Sequence, residues 1–168
     1  MIKTSVKSDD VLKHKTDCLI LLSPETKPAG LLKQIDGLLN GAITAAFKSK
    51  RFEGKLNQTF QQSVRGLIGA DSILVVGLGK SKDVAEEQIR QASGTGSKTA
   101  EKSRHHKISI FMNEEDAGKL AKSKKPQTGN PVAAALVEGA QLGLYHFDPY
   151  KSLDKKDPPS RIREIVVL

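Results

Sequence analysis

The residues of this chain that could do chemistry are few and lie far apart in the sequence. Gly77, Gly79 and Lys80 stand where a strand-like run passes into a helix-like one. Glycines there let a backbone approach a phosphate, and a helix N-terminus attracts an anion. The dinucleotide fingerprint, however, needs a glycine where Lys82 stands, and the nucleotide loop needs one where Leu74 stands. A tight structural turn is therefore the preferred interpretation, with phosphate binding as the alternative.

The remaining reactive side chains form no recognisable constellation. His105 and His106 are adjacent, so on a strand they would point to opposite faces and chelate a metal poorly; we interpret them as a surface pair. His14 and His146 have no partners at ligand spacing. Cys18 lies in an apolar run and is interpreted as a small buried hydrophobe. We therefore predict no catalytic, cofactor-binding or metal-binding residue in this chain.

Composition indicates one ordinary globular domain. The chain has 168 residues, of which 38% are hydrophobic and 27% charged. No apolar run approaches the length of a membrane span, and the N-terminus lacks the apolar core of a signal peptide. A single cysteine excludes an intrachain disulfide and suits a reducing compartment. We expect a cytoplasmic protein with no membrane partner.

Basic residues concentrate between Lys98 and Lys125, a stretch that contributes half of the formal net charge of +8. Such an excess can attract nucleic acid by long-range electrostatics. A solvated face is the more common explanation of a charge cluster. Phe111 is the only aromatic residue in the stretch, which weakens a hypothesis of single-strand binding by base stacking.

Strand-like and helix-like segments alternate along the chain, which favours an α/β domain with helices on both faces of a largely parallel or mixed sheet. The expected strands are 2–6, 17–22, 56–64 (a strand pair or one bent strand), 72–76, 107–112 and 162–168. The expected helices are 31–47, with Gly37 and Gly41 as candidate breaks in it, then 83–104, 114–122 and the segment that follows Asn130. We expect a basic loop over 123–129 and a turn over 157–160.

The segment that begins at Asn130 is the most informative. Asn130 is a good N-cap and Pro131 suits the first helical position. From Val132 to Leu144 nearly every residue is small or apolar, as in a helix buried on more than one side. Three aromatic residues follow within six positions; they are Tyr145, Phe147 and Tyr150. We predict a core helix that ends in an aromatic plug.

Three stretches together resemble the N-terminal domain of the leucyl (cytosol) aminopeptidases, the M17 metallopeptidase family. Phe52–Thr59 is similar to the family's "F.GK..Q" stretch, and Ile73–Lys80 to its "vlLvGLGk". The most specific stretch is Glu138–Ser152, which resembles "EG..Lg.Y.Fd.YKs" almost residue for residue. Their order and spacing agree, and the resemblance covers essentially all of residues 1–168.

The resemblance implies a macro-domain-like, three-layer α/β/α fold with a central mixed, mostly parallel sheet. It implies that residues 1–168 are a single non-catalytic N-terminal domain, inactive alone, and that the C-terminal catalytic domain is absent from this chain. In the family that domain carries two divalent metals (Zn, Mn or Mg) and removes N-terminal residues, leucine preferred, from peptides. Family members form homo-hexamers, and some bacterial members also bind DNA.

Two alternative functions stay open from the sequence. The first is a macro-like module that binds a nucleotide or ADP-ribose, and it depends on the Gly77 turn and on analogy of fold alone. The second is DNA binding through the basic face. One departure from the family is the presence of Gly94 and Gly96, which are weak helix formers, in the predicted helix 83–104. We predict a kink or a frayed turn there.

Overall fold

The computed structural model describes residues 2–113, 130–145 and 161–168. The predicted helix 114–122, the basic loop 123–129 and the turn 157–160 lie outside these ranges. Within them the elements follow in the order β1 (Lys3–Val6), β2 (Thr16–Ser23), α1 (Gly30–Leu38), α2 (Ala42–Lys48), β3 (Thr59–Ser63), β4 (Ala70–Gly77), α3 (Glu86–Lys102), β5 (Lys107–Met112), α4 (Pro131–Gly143) and β6 (Glu164–Val167).

The described strands form one six-stranded sheet in the order β1-β6-β5-β2-β4-β3. Every neighbouring pair is parallel except β3 and β4, which are antiparallel. The predicted mixed, mostly parallel sheet is therefore confirmed. The segment 56–64 contains one strand, β3, rather than a strand pair.

Alternation along β2 divides the core into two halves. Cys18, Ile20 and Leu22 face α3 and α4, whereas Leu19 and Leu21 face α1 and α2. All five side chains are buried. A strand buried on both faces must be apolar at every position, which is why this run shows no polar alternation. The sheet lies between two helical layers, as the α/β/α prediction requires.

The predicted helix 31–47 is two helices. Asn40 and Gly41 adopt positive φ angles of 52° and 79°, which end α1 and start α2. The buried Asp36 joins the two helices, because its carboxylate accepts hydrogen bonds from the backbone N–H groups of Ile43 at 2.8 Å and Thr44 at 3.1 Å. These are donors that the first turn of α2 would otherwise leave unpaired. Gly37, the other candidate for the interruption, lies within α1.

The prediction of a kink at Gly94 and Gly96 was wrong, because α3 is one continuous helix of 17 residues. The glycines serve packing instead. An ideal Cβ on Gly94 would lie 3.0 Å from the carbonyl oxygen of Gly139 on α4, and one on Gly96 would lie 2.8 Å from the Ile20 side chain. Tertiary contact therefore overrides the weak helix propensity of glycine at both positions.

The contact between α3 and α4 brings backbone against backbone. A Cβ on Gly139 would come closer than 3.0 Å to the carbonyl oxygen of Arg90, and a Cβ on Gly143 would do the same to that of Gly94. Real Cβ atoms essentially never show such separations. The buried Ser93 hydroxyl adds a hydrogen bond of 2.6 Å to the carbonyl oxygen of Leu136. Small residues thus let the two helices meet without intervening side chains.

The helix predicted after Asn130 is confirmed, since the Asn130 side chain accepts hydrogen bonds from the N–H groups of Val132 and Ala133 at 3.0 and 3.3 Å. The aromatic plug was wrong for Tyr145, whose side chain is 68% exposed beyond the end of α4. Phe147 and Tyr150 lie outside the described residues. Burial of α4 comes from its small and apolar face, and the ring that follows it points to solvent.

The contact between α3 and α4 predicts that alanine destabilises the fold at Gly139 but not at Gly37. Replacing Gly139 by alanine inserts a methyl group between α3 and α4, and we expect it to lower the free energy of unfolding by about 2 kcal/mol or more. The control is Gly37→Ala in α1, where a Cβ meets nothing within 4 Å. That change should be neutral or stabilise by up to about 1 kcal/mol. Urea unfolding of both variants is the measurement, and equal effects would contradict the packing role.

Candidate functional site

The Gly77–Gly79 turn has no free backbone donor for a phosphate. The N–H groups of Gly77, Leu78 and Gly79 donate to the carbonyl oxygens of Gln58, Ser23 and Gly54, respectively, at 2.8, 2.9 and 2.9 Å. A Cβ on Gly77 would collide with the carbonyl oxygen of Lys55. The turn therefore holds the loop before β3 against the end of β4, as the structural interpretation predicted.

Neither helix start near these residues offers an anion site. The helix α3 begins after a short 3₁₀ turn, and Glu86 and Glu87 in its first turn repel a phosphate. The N–H of Ala85, which precedes it, donates to the Gln88 side chain at 3.0 Å. The start of α4 is occupied by the Asn130 cap. The starts of α3 and α4 thus give no support to phosphate binding.

The two adjacent histidines lie in the turn before β5 and have different surroundings. His106 is exposed, and its Nδ1 lies 3.0 Å from the carbonyl oxygen of Arg161. His105 is half-buried, with its Nε2 3.4 Å from the Ser72 hydroxyl. Burial lowers the pKa of His105, although the negative charge of Asp17 opposes that shift. The prediction of a surface pair therefore holds for His106 alone.

Asp17 organises this end of the sheet, and the sequence pattern did not single it out. Its Oδ2 accepts hydrogen bonds from the backbone N–H groups of His106 at 2.7 Å and Lys107 at 3.0 Å. Burial raises the pKa of Asp17, but these two bonds and the nearby histidines outweigh it, so the pKa lies below its ordinary value. The carboxylate fixes the start of β5 beside β2.

Cys18 is confirmed as a buried core residue. Burial raises the pKa of its thiol to about 12, so the thiolate that a nucleophile or metal ligand requires is scarce at neutral pH. The neighbouring Ser72 hydroxyl donates to the carbonyl oxygen of Asp17 at 3.1 Å. The Ser72 hydroxyl is thus shared between a backbone acceptor and the more distant His105 ring.

An open groove of about 430 Å³ lies between α3, α4 and the loop before β3. We call it the glycine groove; its lining includes Asn57, Arg90, Gly94, Lys98, Gly143 and Tyr145. Asn57 has a φ of 63°, and its side-chain oxygen accepts a hydrogen bond of 3.0 Å from the Thr95 hydroxyl. No local sequence pattern signals this groove, because residues far apart along the chain form it.

The three stretches that carry the family resemblance meet beside this groove. Asn57 from the first stretch donates its backbone N–H to the carbonyl oxygen of Gly77 in the second at 2.9 Å. Gly139 and Gly143 from the third stretch pack on the backbone of α3. The resemblance therefore rests on residues that assemble one part of the fold, with no reactive group at its centre.

Searches for a metal centre and for a membrane segment were negative within the described ranges. No group of three or more His, Cys, Asp or Glu side chains there is arranged to hold a metal ion. No helix among the same residues is long and apolar enough to cross a membrane. The six-stranded sheet between two helical layers defines the described part of the chain as a three-layer α/β/α domain.

Comparison with known families then places the chain. The sequence model described as "Cytosol aminopeptidase family, N-terminal domain" matches residues 20–154. The chain therefore belongs to the cytosol aminopeptidase family, and the matched residues correspond to that family's N-terminal domain. The family prediction made from the three stretches is confirmed.

Individual relatives are longer than this chain. A probable cytosol aminopeptidase of a Geobacter species is 30% identical over 155 residues, which are 92% of this chain and 29% of the relative. The cytosol aminopeptidase of Pseudomonas aeruginosa is 29% identical over 155 residues, again 92% of this chain and 30% of the relative. The chain thus spans about three-tenths of the length of these relatives.

Solved structures support the fold. A tomato leucine aminopeptidase superposes with a TM-score of 0.76 at 20% identity, over 99% of this chain and 32% of that one. The macrodomain of Mycobacterium tuberculosis DarG superposes with a TM-score of 0.65 at 14% identity, over 99% of this chain and 98% of that one. The predicted macro-domain-like architecture is confirmed.

Every backbone N–H group of the Gly77–Gly79 turn already donates to a carbonyl oxygen of the chain. We therefore predict that ADP-ribose does not bind at this turn. Titration calorimetry should show no heat of binding for ADP-ribose at up to millimolar concentrations, because the turn has no free N–H group to receive the pyrophosphate. Tight, saturable binding would contradict this prediction and restore the nucleotide-binding hypothesis.

The lowered pKa of Asp17 predicts a pH-dependent contribution to stability. Because the folded-state pKa lies below the ordinary value of 3.8, the ionised carboxylate stabilises the fold above that value. The contribution is lost as the pH falls through the folded-state pKa. Asp17→Asn should therefore be less stable than the parent chain at neutral pH, and the gap should shrink in acid.

Urea unfolding between pH 7 and about pH 2.5 measures this gap. The control variant is Asp83→Asn, which removes an exposed carboxylate from the 3₁₀ turn before α3. A gap for Asp17→Asn that stays constant, or widens in acid, would contradict the assigned role.

Proposed function

We propose that this chain is the non-catalytic assembly or regulatory domain of a metal-dependent leucyl aminopeptidase. The observation that carries the proposal is the family match over residues 20–154 in a chain that spans three-tenths of its relatives. The full-length protein would hydrolyse N-terminal residues, leucine preferred, from peptides. The chemistry would belong to a C-terminal catalytic domain that follows these residues.

The hydrogen bonds of the described residues support a structural role. Asp36 joins α1 to α2, and Asp17 fixes the start of β5. Ser93 joins α3 to α4, while Ser72 bonds to the backbone of β2. These four polar side chains are thereby engaged in holding elements together.

The two divalent metals of the family (Zn, Mn or Mg) do not fit the described residues. A di-metal site needs several carboxylate or imidazole ligands around each ion. The described residues offer no group of even three such side chains in place. We therefore assign no metal ligand to this chain and derive no catalytic step within it.

The partners of the domain follow from the same proposal. They are its own catalytic domain, the other subunits of a homo-hexamer and, through the catalytic domain, peptide substrates. The relatives' name, cytosol aminopeptidase, supports a cytoplasmic location. The family match supports these assignments, and the oligomer is testable by sedimentation of the full-length protein.

DNA binding through the basic face stays a prediction. Lys98 and Lys102 on α3, with Arg104 after it, are exposed, which suits a solvated face as well as a nucleic-acid contact. Lys107 on β5 lies 3.8 Å from the Glu164 carboxylate, and the basic residues from Lys119 to Lys125 lie outside the described ranges. Gel shifts at several salt concentrations distinguish a solvated face from a DNA contact, because contacts to phosphate weaken steeply as the salt concentration rises.

The proposal predicts where activity is found. The full-length protein should hydrolyse leucine p-nitroanilide with added manganese, and a chelator should abolish the activity until metal is restored. The 168-residue chain alone should show no hydrolysis under the same conditions, because its described residues contain no cluster of three or more side chains that could hold a metal ion. Hydrolysis by the chain alone, absent from a mock purification, would overturn the proposal.

A further inference from the structure

The joint between α1 and α2 holds Asn40 and Gly41, which form the only Asn–Gly pair in the sequence. Asn40 is exposed, and both residues have positive φ angles. Because a glycine has no Cβ, the side-chain amide of a preceding asparagine meets little steric hindrance when it approaches the glycine nitrogen. An asparagine side chain can close a five-membered ring with that nitrogen, which is the first step of spontaneous deamidation.

We propose that Asn40 is a site of spontaneous deamidation and that opening of the joint between α1 and α2 controls its rate. The Gly41 nitrogen forms a bond to Cγ of Asn40, and the bond from Cγ to Nδ2 breaks. Ammonia leaves with the proton that the Gly41 N–H gives up, and a succinimide ring remains. Water then adds to one of the two ring carbonyl groups and produces either aspartate or isoaspartate at position 40. The reaction consumes water alone and needs no cofactor.

The folded joint restrains the attacking nitrogen. The Gly41 N–H donates a hydrogen bond to the carbonyl oxygen of Asp36 at 2.9 Å. The buried Asp36 carboxylate also holds the start of α2, because it accepts hydrogen bonds from the N–H of Ile43 and from the N–H and hydroxyl groups of Thr44. Attack on Asn40 therefore requires local opening of the joint, which costs less free energy than global unfolding.

Conversion to isoaspartate alters the joint permanently. The main chain of isoaspartate runs through the former side chain, so an extra methylene group is inserted between α1 and α2. The joint depends on consecutive φ angles of 52° and 79° at Asn40 and Gly41, and the longer backbone cannot reproduce them. The helix α2 then packs less well where it buries Ile43 and Ala46. Deamidation therefore weakens the helical layer formed by α1 and α2.

Incubation of the 168-residue chain at mildly alkaline pH, followed by peptide mass spectrometry, tests the proposal. The internal control is Asn57, which is also exposed and has a φ of 63°. The N–H of the next residue, Gln58, likewise donates a hydrogen bond of 2.9 Å, to the carbonyl oxygen of Lys55. Because its successor is glycine, Asn40 should lose its amide at least about tenfold faster than Asn57 and should yield isoaspartate. Equal rates overturn the proposal, as does an Asn40 amide that is lost in urea but stays intact in the folded chain.

The variant Thr44→Val tests the control by the joint. It removes one hydrogen bond to Asp36 while nearly preserving the side-chain volume, so the joint should open more often. Under conditions where both chains are folded, Asn40 should deamidate at least about threefold faster in the variant than in the parent chain. An unchanged rate overturns the role assigned to the joint.

The variant Asn40→Gly tests the consequence for the fold. Glycine tolerates the positive φ angle at this position and has no amide to lose. After the same incubation, the parent chain should unfold at a lower urea concentration than before, whereas the unfolding midpoint of the variant should not move. Equal shifts in the two chains overturn the loss of stability attributed to deamidation.

Discussion

The backbone contact between α3 and α4 is the constraint on which the rest of this domain depends. Gly94, Gly139 and Gly143 bring carbonyl oxygens and Cα atoms of the two helices together, with no side chain between them. Each helical glycine costs about 1 kcal/mol relative to alanine, so the contact must return that free energy through packing. The Ser93 hydroxyl on α3 also donates a hydrogen bond to the carbonyl oxygen of Leu136 on α4 at the same contact.

This contact also sets the position of the sheet. Gly96 lies on the opposite side of α3, where a Cβ would meet the side chains of Ile20 and Val76 at 2.8 and 3.2 Å. The helix is therefore held between α4 and the central strands, without room for an added methyl group on either side. The glycine groove follows from the same geometry, because two helices without side chains at their contact leave backbone exposed between them.

The sequence predicted the strands and the α/β class well, since apolar runs such as 18–22, rich in branched side chains, are typical of a strand buried on both faces. It failed where tertiary contact reverses a local preference. Gly94 and Gly96 suggested a kink because isolated helices disfavour glycine, and packing against α4 and β2 reverses that preference. Tyr145 suggested a core plug because of its type, yet its position past the last turn of α4 leaves it exposed. Asp17 and the groove depend on residues distant in sequence, which no local pattern can bring together.

The domain illustrates how a family can be identifiable through residues that pack rather than react.

The most direct test of this account is a double-mutant cycle between Gly94→Ala on α3 and Gly139→Ala on α4, measured by urea unfolding. The first alanine should already separate the helices, so the double variant should lose less stability than the sum of the single losses, by at least about 0.5 kcal/mol. Additive losses would show that the two glycines act independently and would contradict the claim that one backbone contact organises the fold.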